Sequence, residues 1–552
     1  MSATTVSTGF DLDPVTLEIA WGRLQAVTDE AEITLVRTSF SPIIREAFDF
    51  AVMLTDSKGG AVTQSQRSMP SFVGTLPRTL QALLKRFPAD SWRPGDVIGT
   101  NDPWLGTGHL PDMTMVRPVF RKGSVIAYLG CIGHWADIGG AIWSADSHEL
   151  FEEGFRIPPS KFVSEGRVNE ELLNLIQHNV RLPEQVRGDI HAQFSTMQVG
   201  DRRLNELLDD AGLDDPGPFF AEMQRRAEAA MREAIAALPD GTYEHEMEID
   251  GVDQPLLLRV AVTVRGDEMH IDWTGSSPQT DWAINDSFNH AYAMSVYPVK
   301  CALCPEVPNN QGTIQPISMT APKGSIIDCS YPAAVGSRQI IGHCISAVVF
   351  GALANVLPDR VLADSGSPCP RFVFTGMTED GRKFGTAFLL SGGMGARPKR
   401  DGLSAAPWPS NAGTTSVEIV EASTPLLFRR RALLPDSGGG GKFRGGLGVA
   451  TDIELRGDRP AILSMMTDRV QHPPLGRFGG LPGSANVLSR SSGGPVHPKS
   501  RTRVQPGEVV SMHTPGGGGF GPPADRDPEL IRRDLKYGYV TPETSRRLYG
   551  ES

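Results

Sequence analysis

"PFFAEMQRRAEAAMREAIAALPDGTYEHEMEID" occupies residues 218–250, and its two halves follow different periods. Over 218–237 the pattern is that of a helix with one buried face. Pro239-Asp240-Gly241 then closes the helix, and the period drops to two. "GTYEHEMEID", "LLLRVAVTVRG" and "EMHIDWTG" alternate, which predicts a β-meander. A helical block followed by a meander predicts an α+β fold.

The same reading extends outward. Residues 13–39 predict an amphipathic helix, with Asp13 as its cap and Pro14 in its first turn. Leu17, Trp21, Leu24, Ala31 and Leu35 fall near one face. Residues 48–64 predict two short strands around Asp56-Ser57-Lys58-Gly59-Gly60. Helices are expected over 76–87, in pieces over 168–212, over 286–300 and over 337–356. From about residue 370 the chain reads as strands, Gly-rich turns and irregular structure, with helix returning over 528–549. A multi-domain chain is expected: a mixed, helical N-terminal part (1–240), a β-meander with helices (241–370), and a β-rich, Gly/Pro-rich part with a terminal helix (371–552).

The 552 residues suit two to four domains, and 39% hydrophobic with 21% charged residues suits a globular protein. The net charge of -11 excludes a basic nucleic-acid footprint. The first residues, "MSATTVSTGFDLDP", lack a basic and then apolar leader, and no apolar run approaches the roughly 18 residues of a membrane span. A cytoplasmic protein is expected. The six cysteines are scattered and read as reduced, mostly buried thiols.

Chemistry concentrates in "GTNDPWLGTGHLPDMTMVRPVF" (99–120) and "CIGHWADIGGAIWSADSHE" (131–149). The first is rich in turn formers yet carries Asp102, His109 and Asp112. The second adds His134 and Asp137 after a predicted strand. Two imidazoles and a carboxylate are a common ligand set for Zn, Fe(II) or Mn. His109/Asp112 and His134/Asp137 repeat one His-x-x-Asp spacing. From spacing alone, loop polars and caps remain the competing reading.

Other motifs weigh less. "DIGGAI" (137–142) has the Asp-x-Gly-Gly of a phosphate loop but Ala141 where Thr is usual. In "SGGGGKFRGGLG" Phe443 stands where a P-loop needs Ser or Thr, so this stretch and "HTPGGGGFGPP" read as tight turns and close backbone packing. Cys301 and Cys304 form a lone Cys-x-x-Cys in an apolar run, read as buried thiols that His343 could join only through the fold. There is no Gly-x-Ser-x-Gly elbow. The polar stretch 272–290 reads equally as a pocket lining or a turn.

"NDPWLGTGHLPDM", "GHWADIGG", "NVRLPEQVRGDIHAQ", "DWTGSSPQ", "LLPDSGGGGKFRGGLG" and "HTPGGGGFGPPADRDPE" occur in this order. Together they resemble the hydantoinase B/oxoprolinase family. That family includes the B-type subunits of ATP-dependent N-methylhydantoinases and lactamases, the C-terminal half of 5-oxoprolinase, and related subunits of acetone- and acetophenone-type carboxylases. The resemblance implies a divalent metal (Zn, Mn or Fe) on Asp49, His109, Asp112 and His134. It also implies a separate A-type ATPase partner that binds the ATP, and hence a hetero-oligomer. Three positions depart from the usual pattern. Trp135 replaces a second His, Ala51 a Ser, and 67–76 lacks His. These changes make the expected pocket more apolar.

The function expected from the resemblance is ATP-dependent hydrolysis of the C–N bond of a cyclic amide, such as a lactam or hydantoin. The hydantoinase A-type partner would phosphorylate the substrate and the metal would activate water. Asp137 would orient His134 or act as a base, with Asp102 and Asn101 as weaker candidates. ATP-dependent carboxylation of a ketone is the alternative, and a non-catalytic scaffold for the ATPase is the second alternative.

Overall fold

The protein is seen in a computed structural model that describes residues 14–141 and 143–550. Asp13, read as a cap, lies outside the described residues, as do Ile142 of "DIGGAI" and the side chain of Leu17. The first helix, Pro14–Thr38, buries Leu24, Ala31 and Leu35 and sets Trp21 at the margin of the core. It runs against the long helix Pro183–Asp210.

Beside these helices lies a seven-stranded sheet of order β2-β1-β5-β4-β3-β6-β7. Its strands are β1 (Phe50–Asp56), β2 (Ala61–Gln64), β3 (Val97–Thr100), β4 (Asp112–Arg121), β5 (Ser124–His134), β6 (Ser160–Ser164) and β7 (Arg167–Val168). All neighbours are antiparallel. The β1–β2 turn falls on the expected residues, where Asp56 Oδ1 accepts from the backbone of Lys58 (2.8 Å) and Gly60 (2.9 Å).

The β4–β5 hairpin decides the site. Lys122 (φ 48°) and Gly123 (φ 84°) are both left-handed, as a two-residue turn that matches strand twist requires. Pairing starts at Arg121↔Ser124, shifts once between Val119 and Phe120, and ends at Asp112↔His134. On the other side of β5, Phe50 pairs with Gly133. The His134 backbone N–H donates to the Asp49 carbonyl at 3.1 Å. Asp49, His134 and Asp112 therefore sit side by side at the ends of three adjacent strands.

The meander is present as β8 (Gly241–Ile249), β9 (Leu256–Arg265) and β10 (Glu268–Asp272), extended by β11 (Ile317–Thr320), which pairs parallel to β10. The helix Gln339–Leu353 covers β8 and β9 and touches the helix Phe288–Leu303. The helix expected at 76–87 starts earlier, as Pro70–Arg86. Pro70 suits its first turn, and Pro77 lies inside the helix. Where this helix crosses Phe288–Leu303, a Cβ on Gly74 would lie 2.5 Å from that of Ala293. One large core runs from Leu24 to Met466 and crosses the boundary read near residue 240.

Two four-stranded sheets follow. One holds β12 (Arg371–Met377), β13 (Lys383–Leu389), β16 (Ala461–Met466) and β18 (Arg501–Val504). The other holds β14 (Leu426–Leu433), β15 (Val449–Leu455), β17 (Val487–Arg490) and β19 (Val509–His513). They share a second core that includes Phe372, Phe374, Leu463, Ile453, Val510 and Met512. The Gly-rich stretches lace the loops together as close-packed backbone. Gly439 N donates to Gly517 O, Gly446 N to Met394 O, and Gly518 N to Asp364 O, each at 2.8 Å. The single helix expected over 528–549 is two, Pro528–Lys536 and Pro542–Tyr549, parted by a left-handed Gly538 (φ 68°). Among the described residues no helix is long and apolar enough to cross a membrane.

Candidate metal centre

His109 lies in the loop before β4, Asp112 opens β4, and His134 ends β5. One ligand atom from each lies within 4.8 Å of the others, and all three residues are buried. Asp112 Oδ2 accepts from Thr107 Oγ1 (2.7 Å) and Arg338 Nη2 (2.7 Å) and lies 2.8 Å from His109 Nε2. Its Oδ1 has no hydrogen-bond partner and lies 3.6 Å from His134 Nδ1. Neither ring nitrogen of His134 has a partner. Buried polar atoms without partners are rare and costly. Here two of them, Asp112 Oδ1 and His134 Nδ1, lie 3.6 Å apart.

Charge explains why the rings suit a cation. Burial pushes the His134 imidazole down to about 3. Burial, with the Arg338 charge, also lowers His109. Both rings are therefore neutral, the form that ligates metal. A neutral His109 has one ring proton but two acceptors facing it, Gly336 O at 3.3 Å from Nδ1 and Asp112 Oδ2 at 2.8 Å from Nε2. A proton on Nδ1 leaves the Nε2 lone pair pointing at a carboxylate oxygen, which a cation would resolve. Burial opposes ionisation of Asp112, but the adjoining Arg338 guanidinium holds its carboxyl well below the usual range. Burial, then the Asp112 charge, pushes Asp49 up to about 7. His109, Asp112 and His134 thus fit a divalent ion, while the Asp49 carboxylate stands outside that group of three.

The surroundings are built from distant segments. Gly108 (φ 92°) lets Arg338 lie across the loop, since a Cβ there would come within 2.5 Å of Arg338 Cδ. Arg338 Nε also donates to Thr107 O. Trp143 packs edge-on against His134 with centroids 4.3 Å apart, and the Arg371 guanidinium lies 4.4 Å from the Trp143 ring. A cleft of about 50 Å³ reaches His134 between Pro42, Ile43, Pro111, Trp143, Val373 and Ala387. Trp135 is fixed in its wall by donating Nε1–H to Gln193 Oε1 at 2.9 Å.

Asp137 lines the same cleft, but its carboxylate accepts from the backbone of Gly139, Arg181 and Leu182 and from Arg181 Nη1. A carboxylate offers about four lone-pair sites. Asp137 is thus saturated as a brace between two loops, which leaves the base role expected of it without a free oxygen. Asn101 and Asp102 are braces too. Asn101 Nδ2 donates to Leu110 O (2.8 Å) and Phe155 O (3.0 Å), and Asp102 Oδ1 accepts from Trp104 N (3.0 Å).

The minor motifs also find their places. Gly139 and Gly140 leave no room for a side chain: a Cβ on them would lie 2.5 Å from Asn179 O and 2.3 Å from Glu153 C, so they serve chain packing. Cys301 and Cys304 are free thiols, and His343 Nδ1 instead accepts from Cys369 N at 3.3 Å. The 272–290 stretch is both: Ser277 to Trp282 line a pocket with Val252 and Leu256, and Asn285 pins the turn, its Nδ2 donating to Thr280 O, Trp282 O and Ala334 O. It leads into a buried Asp286–His290 pair at 2.9 Å. Sequence reasoning missed Arg338, Arg371, Trp143 and this pair. The available signal was a lone charge at the start of an apolar run, as in "SRQII" and "PRFVF".

The profile of the hydantoinase B/oxoprolinase family matches residues 13–523. The chain belongs to this family. It is 30% identical to the B-type chain of a putative D-/L-hydantoinase from Pseudomonas sp. (strain NS671), covering 98% of this chain and 95% of that one. It is also 30% identical to the beta chain of the caprolactamase from Pseudomonas jessenii, over 98% and 96% of the two chains. With 5-oxoprolinase 1 of Arabidopsis thaliana it shares 30% identity over 92% of this chain but 42% of that protein. The crystal structure of the ATP-dependent caprolactamase from Pseudomonas jessenii superposes with a TM-score of 0.91 at 29% identity, covering 98% and 96%. Nucleotide-free acetone carboxylase shares the fold, with a TM-score of 0.85 at 19% identity over 98% of this chain and 79% of that one. The α+β class and the family expected from the sequence thus both hold for this hydantoinase B/oxoprolinase member.

Proposed function

We propose that this chain is the metal-holding B-type component of an ATP-dependent cyclic amidohydrolase, partnered by an A-type ATPase that phosphorylates the substrate. Asp49, His109, Asp112 and His134 hold the divalent ion in this reading. One observation carries it: Asp112 Oδ1 and His134 Nδ1 are buried 3.6 Å apart, each with no hydrogen-bond partner. The ion supplies Lewis acidity, polarising an oxygen and making water acidic.

The chain's own residues do the rest. Arg338 and Thr107 fix Asp112, so the carboxylate does not swing when a ligand arrives. Trp143 holds the His134 ring edge-on. The apolar walls at Ile43, Val373 and Ala387 exclude water and suit the hydrocarbon part of a small ring. Support for the substrate class comes from the relatives named hydantoinase and caprolactamase. The ketone-carboxylase alternative draws only on a shared fold.

The test is metal analysis of the purified protein, with and without its partner, alongside ATP-dependent ring opening of lactams and hydantoins. Stoichiometric metal that disappears in His109→Ala and His134→Ala together with turnover is the expected result. Metal retained in both variants would refute the ligand assignment. Turnover that requires bicarbonate and gives no ring-opened product would favour the carboxylase.

A further inference from the structure

Arg371 opens β12 and is 4% exposed, yet its Nε and Nη1 are enclosed without a hydrogen-bond partner. A buried charge left unpaired is strongly unfavourable. The two guanidiniums beside the centre differ in this respect. Arg338 is committed to Asp112 and to the Thr107 carbonyl. Arg371 attracts Asp49 and Asp112 through space, while its Nε and Nη1 bond to neither.

Arg371 does not itself line the cleft but lies directly behind Trp143, which does. The guanidinium lies over Trp143, and Trp143 touches His134. Val373, two residues further along β12 and on the same face of the strand, lines the cleft with Trp143 and His134. Once a divalent ion takes up the charges of Asp49 and Asp112, the two guanidiniums leave the centre doubly positive. The missing complement is an anion. A guanidinium's planar fork suits two oxygens on one carbon better than a point charge does.

We infer that Arg371 is a carboxylate-binding residue reached from the cleft past Trp143, holding the acid end of the ring-opened product beside the metal ligands. The inference rests on the amidohydrolase reading, because hydrolysis turns the ring carbonyl carbon into that carboxylate.

The test is calorimetric titration of 6-aminohexanoate and of bicarbonate into wild type, R371Q and R371K, each with its partner, with bound metal measured in parallel. The amino acid should bind wild type and bind R371Q at least tenfold more weakly, with metal content unchanged. R371K should fall between them, since Lys keeps the charge without the fork. If R371Q does not fold, R371K carries the test and must still weaken binding several-fold. Equal affinity in the variants, no binding to wild type, or loss of metal along with Arg371 would overturn the inference. So would Arg371-dependent binding of bicarbonate without binding of the amino acid. Should wild type hold no metal, the metal reading fails by itself. Arg371-dependent binding of the amino acid would then still stand.

Discussion

Asp112 and His134 face each other directly across the β4–β5 ladder. Their separation is therefore set by one hairpin: its turn at Lys122-Gly123 and its single shift at Val119/Phe120. Deleting one residue from that turn should slip the register, turn one of the two side chains to the other face of the sheet, and abolish metal binding. Gly123→Ala should do far less. Nothing stands within 4 Å of its Cβ, so it meets only the strain of a left-handed φ, about 1 kcal/mol. Metal content and denaturation midpoints of the two variants check this.

Removing Arg338 should be felt in stability and in metal affinity together. It leaves the Asp112 carboxylate buried without its strongest donor. Breaking a buried pair by deleting one partner costs about 3–5 kcal/mol. Loss of a residue that fixes a ligand costs about 10–100-fold in metal affinity. Arg338→Met should show both, by urea titration and by competition with a chelator.

Glu153 makes stability depend on pH. Its Oε1 accepts from Val335 N (2.7 Å) and Gly336 N (2.6 Å), and its Oε2 has no partner. Burial pushes its carboxyl from 4.5 up to about 8. Between those values the folded protein binds a proton that the unfolded chain has released, so this group's contribution to stability falls as pH rises. Wild type should lose urea midpoint from pH 5 to 8 relative to Glu153→Gln, which keeps the acceptor and cannot ionise. Parallel midpoint curves for the two proteins would show that Glu153 does not titrate in this window.

Glycines of the interlocked loops should be intolerant for a reason unrelated to φ. A Cβ on Gly445 would lie 1.9 Å from the Gly517 carbonyl oxygen, whereas one on Gly493 meets nothing within 4 Å. Gly445→Ala should yield insoluble or strongly destabilised protein. Gly493→Ala should cost about 1 kcal/mol. Soluble yield and thermal midpoints separate the two.

Much of this was legible in the sequence because its signals are local. Leu24, Ala31 and Leu35 announce a buried helix face, the alternation in 256–265 announces a strand, and His109, Asp112 and His134 lie close enough along the chain to be read as a set. Asp49 came from resemblance, because no periodicity ties it to β4 or β5. Arg338 and Arg371 were invisible, since each meets the centre only through long-range packing. His134-x-x-Asp137 repeats the spacing of His109-x-x-Asp112, yet the Asp137 carboxylate is taken up by Gly139, Arg181 and Leu182. The two segments differ in backbone: Asp112 opens a strand, while Asp137 lies past the end of one and braces the loop against Arg181.

The reach from Asp112 to Arg338 also constrains the order of events during synthesis. The hairpin bearing Asp112 and His134 emerges from the ribosome long before Arg338 and Arg371. The nascent chain can pair β4 with β5, but it cannot clamp Asp112. An ion captured at that stage would rest in an open, exchangeable cage. The finished centre closes only once residues up to the start of β12 have folded back. Any metal that is kept would then be selected by a nearly complete protein, at a late step of its maturation.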